Sequence, residues 1–109
     1  MKIQKFEDII AWQKAQDMSV DVYASFKELK DRSFKDQICR AAISISNNIA
    51  EVFDRQSKKE FVRFLYISLG STSETKSMLY LAKRLSYLDN PNAEVLSTQS
   101  FEYLKLSPA

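Results

Sequence analysis

The sequence predicts an all-α fold, an antiparallel up-down four-helix bundle with a short fourth helix. Three observations predict it. Apolar residues recur at steps of three and four along three long segments, and none shows sustained strand alternation. The 109 residues include one Gly and two Pro, too few for the turns of a sandwich or barrel. The breaks between periodic segments are short, so successive helices must fold back on one another. With 45% of its residues hydrophobic, a chain of this length forms one domain, residues 1–109.

Helix one is expected over about residues 6–30, where Ala11, Ala15, Met18, Val22 and Leu29 recur at helical spacing beside Trp12 and Phe26. Helix two is expected over about 34–53. Its Ile38, Ala42, Ile45, Ile49 and Val52 step four, three, four, three, a heptad seam. Helix three is expected over about 57–88. Ser57 and Glu60 form a capping box at its start, and Asp89-Asn90-Pro91 stops it. Continuous, it would be about 48 Å long at about 1.5 Å per residue. Phe61, Phe64, Leu65, Ile67, Leu69, Met78, Leu79, Leu81, Leu85 and Leu88 give it apolar residues on more than one face, so it needs partners on both sides. A short fourth helix, about 92–106, rests on Val95, Leu96, Phe101, Leu104 and Leu106.

The composition excludes most chemistry. Without His and with one Cys, a single chain can form no His-based zinc site, no Ser-His-Asp triad, no Cys-His pair and no internal disulfide. Glu51, Glu60 and Glu74 lack an accompanying Glu-x-x-His, so no metal site is expected. Cys39 adjoins the helix-two seam as a small buried side chain rather than a nucleophile. The expected protein is therefore not an enzyme and needs no cofactor or small-molecule substrate. Residues 1–8 are charged and no stretch reaches a membrane span, so a cytoplasmic protein without a membrane partner is expected.

Charge is uneven. Residues 1–34 balance to zero, residues 35–88 carry +4 and the tail carries −2. One basic cluster, Arg55, Lys58, Lys59 and Arg63, surrounds the turn between helices two and three. A second is expected at the other end of that hairpin, with Lys35 level with Lys76 and with Lys83 and Arg84 beyond. Each is ordinary surface charge in a monomer; in a ring of copies each becomes a belt that neutralises several phosphates at once.

Two further features admit a plain and a sharper reading. Arg40, Ser44, Asn48, Glu51 and Arg55 form a polar stripe on helix two, either a solvated face or a hydrogen-bonded helix contact that Glu74 could join. Ser68, Gly70, Ser71, Thr72, Ser73, Thr75 and Ser77 put small residues in the middle of helix three, opposite Ala41, Ala42, Ser44 and Ser46. They serve tight packing within the chain or close contact with another subunit. The subunit-contact set is Ser44, Asn48, Glu51, Gly70, Ser71 and Glu74. The nucleic-acid set is Arg40, Arg55, Lys58, Lys59, Arg63, Lys83 and Arg84.

Several ordered motifs carry a family resemblance: Ala11-Trp12-Gln13-Lys14-Ala15, Gln37-Ile38-Cys39-Arg40-Ala41-Ala42, Ser44-Ile45-Ser46-Asn47-Asn48-Ile49-Ala50-Glu51, Ser57-Lys58-Lys59-Glu60-Phe61, Leu69-Gly70-Ser71 and Glu74. Over residues 3–88 the chain resembles the four-helix bundle family named for proteins encoded in intervening sequences of bacterial 23S rRNA genes. The resemblance implies a ring-like homo-oligomer, a pentamer, and kinship with the basic, nucleic-acid-facing accessory protein of diversity-generating retroelements. The chain departs from the family pattern at Cys39, Val52 and Asp54, and in its short acidic tail. The function expected is binding of structured RNA or DNA through basic belts. The competing class is a protein-interaction module that binds no nucleic acid.

Overall fold

The computed structural model describes residues 10–54 and 58–89. Three helices account for most of them: α1 (Ile10–Ser25), α2 (Arg32–Asp54) and α3 (Lys58–Arg84). The capping box at Ser57 and the expected fourth helix lie outside the described residues, as does Arg55. Helix α2 is central. It packs against α1 on one side and α3 on the other, while α1 and α3 do not approach closely among the described residues.

Both packings are antiparallel. Gln16 Nε2 donates to Ser46 Oγ at 3.0 Å, and Phe26, near the end of α1, meets Phe34, near the start of α2. Likewise Ser71 Oγ donates to Ser44 Oγ at 2.9 Å in mid-helix, and Tyr87, beyond α3, reaches Asp31, before α2. This register makes Lys83 level with Lys35. Lys76 is therefore more than a turn from the level of Lys35, because the Ser44–Ser71 and Asp31–Tyr87 contacts set the register several residues beyond a tight hairpin's.

The heptad seams become the core. Ala11, Ala15, Met18 and Val22 of α1 meet Ile38, Ala42, Ile45 and Ile49 of α2, all buried. Burying each large aliphatic side chain stabilises the fold by about 1.5–3 kcal/mol. On α3 the buried residues are Ser68, Thr72, Thr75, Met78, Leu79 and Ala82, mostly small. Their size brings α3 close to Ala41 and Ala42. The two threonine hydroxyls donate within their own helix, Thr72 to Ser68 O at 2.9 Å and Thr75 to Ser71 O at 2.8 Å, so they are buried without losing hydrogen bonds.

Helix ends differ from expectation. Helix α1 stops at Ser25, not near Lys30. A tight turn, Leu29 N to Phe26 O at 3.1 Å, brings Phe26 inward, and Asp31 begins α2 earlier than expected. Asp31 is its N-cap: Oδ1 accepts from the Phe34 amide at 3.1 Å. Helix α3 stops at Arg84 rather than Leu88. Tyr87 N bonds Ala82 O at 2.8 Å and Ser86 N bonds Lys83 O at 3.1 Å, the paired bonds of a Schellman cap with Ser86 at φ 62°. That left-handed position suits Gly and strains an L-residue. Ser86→Gly is expected to raise stability by about 0.5–1 kcal/mol, read as a higher urea midpoint.

Candidate functional site

The chain offers three surfaces to a partner: an apolar face of α3, a cationic end of the bundle, and grooves on either side of α2.

The first follows from the small-residue seam. Because Ser68, Thr72, Thr75 and Ala82 fill much of the side facing α2, most of the larger apolar residues of α3 other than Met78 and Leu79 point elsewhere. Val62, Tyr66, Ile67, Leu69, Tyr80, Leu81 and Leu85 are 39–71% exposed. Val62, Tyr66, Leu69, Ser73, Lys76 and Tyr80 step four and three along one side, a second seam that no other described helix packs against. The Lys76 ammonium sits 5.6 Å from the Tyr80 ring centroid on that side.

The subunit-contact candidates divide. Ser44 and Ser71 are half-buried and bond each other across α2 and α3. Asn48 folds back on its own helix, donating to Ser44 O at 2.7 Å and Ser44 Oγ at 2.9 Å. These three serve the internal contact. Glu51, Gly70 and Glu74 are exposed. A Cβ at Gly70 would meet nothing within 4 Å among the described residues, so their packing does not require glycine there.

The nucleic-acid candidates also divide. Arg40, Lys83 and Arg84 are exposed. Arg63 is exposed near the start of α3, 5.9 Å from the Phe64 ring centroid, at the opposite end from Lys83. Lys58 and Lys59 open α3. The sequence reading missed Lys27, Lys30 and Arg32. Antiparallel packing brings them, with Lys35, to the end that carries Lys83 and Arg84. Among the described residues that end holds six cations and four carboxylates, Glu28, Asp31, Asp36 and Asp89.

One of those carboxylates is a structural clasp. Tyr87 OH donates to Asp31 Oδ2 at 2.7 Å. That bond, with the Phe34 amide, holds the Asp31 carboxyl below its ordinary value of 3.8; the same bond holds the Tyr87 phenol above 10.0. A lowered acid stabilises the fold above pH about 3.8 and loses its contribution as pH falls through the folded value. A raised phenol stabilises it below pH 10.0 and loses its contribution as pH rises through the folded value. Tyr87→Phe is expected to abolish the alkaline loss and shrink the acid one, read from urea midpoints across pH. Cys39 is buried, and desolvation pushes its thiol up, so it stays protonated at neutral pH.

Two grooves flank α2. One of about 640 Å³ lies between α2 and α3, lined by Ser33, Asp36, Gln37, Arg40, Ser44 and Glu74 among others. One of about 420 Å³ lies toward α1, lined by Tyr23, Lys27, Lys35, Asp36, Cys39, Arg40 and Ile43. No group of three or more potential metal ligands occurs among the described residues, and no described helix is long and apolar enough to cross a membrane.

A family model for the 23S rRNA-intervening sequence protein matches residues 7–107. The chain belongs to that family. Among solved structures, a protein of unknown function from the S23 ribosomal protein family of Bacteroides thetaiotaomicron VPI-5482 matches with a TM-score of 0.82 at 30% identity, covering 88% of this chain and 93% of that one. A search of curated proteins finds no match. This 23S rRNA-intervening sequence protein thus shares its all-helical fold with a relative whose own function is open, and neither match carries an enzymatic label.

Proposed function

We propose that this 23S rRNA-intervening sequence protein is a non-enzymatic cytoplasmic bundle that self-associates, as a ring of the pentameric kind its family resemblance implies, and binds structured RNA or DNA through the basic belts so formed. The observation that carries the reading is one side of α3, where the large side chains of Val62, Tyr66, Leu69 and Tyr80 stand exposed along a single seam. A contiguous apolar surface of that kind marks a protein contact. A second copy can cover it, and assembly then repeats the cationic end once per subunit. The family's name, which ties it to 23S rRNA genes, supports nucleic acid over another polyanion.

The test is binding of a labelled RNA hairpin and a DNA duplex across a salt series. Phosphate binding is expected to weaken with a log–log slope of about −0.9 per phosphate neutralised on duplex DNA. Two charge reversals separate the ends of the bundle, one changing Lys58, Lys59 and Arg63 to Glu and one changing Lys83 and Arg84. The belt reading expects at least one to lower affinity more than tenfold. Unchanged binding by both overturns it. No binding by the unaltered protein at low salt leaves the competing interaction module in its place.

A further inference from the structure

The two grooves share a wall and differ in charge. Asp36 and Arg40, one turn apart on α2, border both. On the α3 side Glu74 joins them, so two carboxylates face one guanidinium and a phosphate is repelled. On the α1 side Lys27, from the turn after α1, and Lys35, from the first turn of α2, give three cations against one carboxylate. Tyr23 stands at that groove with its side chain 49% exposed. The volume of about 420 Å³ falls within the range of about 300–1,000 Å³ typical of small-ligand sites.

Resting on the nucleic-acid reading above, we infer that the α1–α2 groove is where an unpaired nucleotide binds. Lys27, Lys35 and Arg40 hold its backbone phosphates, and Tyr23 stacks its base. Stacking on an aromatic ring requires a base that is free of its duplex, so the ligand is a loop or bulge rather than a continuous helix. The arrangement divides the molecule. The unpaired nucleotide goes to the α1 side of α2 rather than into the α2–α3 groove with its two carboxylates.

The test uses the full chain and fluorescence anisotropy with two RNAs, a hairpin with an unpaired loop and a fully paired duplex of equal length. Lys27→Gln with Lys35→Gln is expected to weaken hairpin binding at least tenfold and flatten its salt slope by about 1.4, at about 0.7 per phosphate on a single strand. Lys27→Gln with Arg40→Gln, both at exposed positions, repeats the measurement should the first pair perturb folding. Tyr23→Ala is expected to weaken the hairpin roughly tenfold and spare the duplex. Hairpin binding by the unaltered protein that survives both glutamine pairs, in affinity and slope, overturns this groove while the general reading stands. Equal losses on hairpin and duplex with Tyr23→Ala overturn base stacking. No binding of either RNA by the unaltered protein overturns the general reading and this one with it.

Discussion

Phe34→Ala is expected to lower the unfolding free energy by about 3–5 kcal/mol, a large part of the roughly 5–15 kcal/mol that holds a domain folded. Phe34 is buried and its ring lies edge-on to two others, 5.8 Å from Phe26 and 5.2 Å from Tyr87. The three rings come from the end of α1, the start of α2 and the segment after α3. Their contacts tie the ends of all three described helices together. Removing the central ring leaves a cavity among them. Phe34→Leu restores most of the volume and none of the edge-to-face geometry, so it should cost about 1–2 kcal/mol. Urea titrations with unchanged m-values give both numbers. A loss below about 1 kcal/mol for the alanine variant would show that the ends are held elsewhere.

What the sequence revealed of this fold, and what it hid, follows from the same residues. The α2 seam was legible because Ile38, Ala42, Ile45 and Ile49 are apolar, regularly spaced and flanked by polar positions. The α3 seam was legible only in part. Its large apolar residues include Met78 and Leu79, both buried, but also Ile67, Leu69 and Leu81, all exposed, while the buried Ser68, Thr72 and Thr75 stand out only as small residues fit for a close contact within the chain or between subunits. Yet Ser68, Thr72, Thr75, Leu79 and Ala82 step four, three, four, three, and threonines that bond back to their own helix are fit for burial. Spacing held the signal and hydropathy obscured it. The α1–α2 turn contains no Gly or Pro to announce it; Asp31, three residues before Phe34, was the available marker. The cationic end was legible only by half, through Lys35, Lys83 and Arg84. Lys27, Lys30 and Arg32 belong to a stretch whose net charge is zero, and only the antiparallel register sets them beside Lys83 and Arg84.

Changing Tyr66 and Leu69 together to Asp is expected to turn an assembled protein into a folded monomer. The two side chains are 71% and 42% exposed, so the variant should keep its helical circular dichroism; what it loses is the contact between copies. Covering an unpaired carboxylate with apolar surface costs about 3 kcal/mol, or roughly a hundredfold in association, and two on one seam exceed what a single interface tolerates. Molar mass by light scattering reads the result directly. Gly70 supplies an independent check on the same face. In a helix interior Gly costs about 1 kcal/mol against Ala, and none of the described residues lies where the added methyl would go. Gly70→Ala should therefore make the isolated chain more stable. If another copy approaches closely at that point, as the small residues around it suggest, the same substitution should loosen the assembly while it stiffens the helix. Opposite signs in the two measurements would place the neighbour against Gly70. A gain in both would move the contact along the helix to Tyr66, Leu69 and Tyr80, and a monomeric unaltered protein would remove the contact altogether.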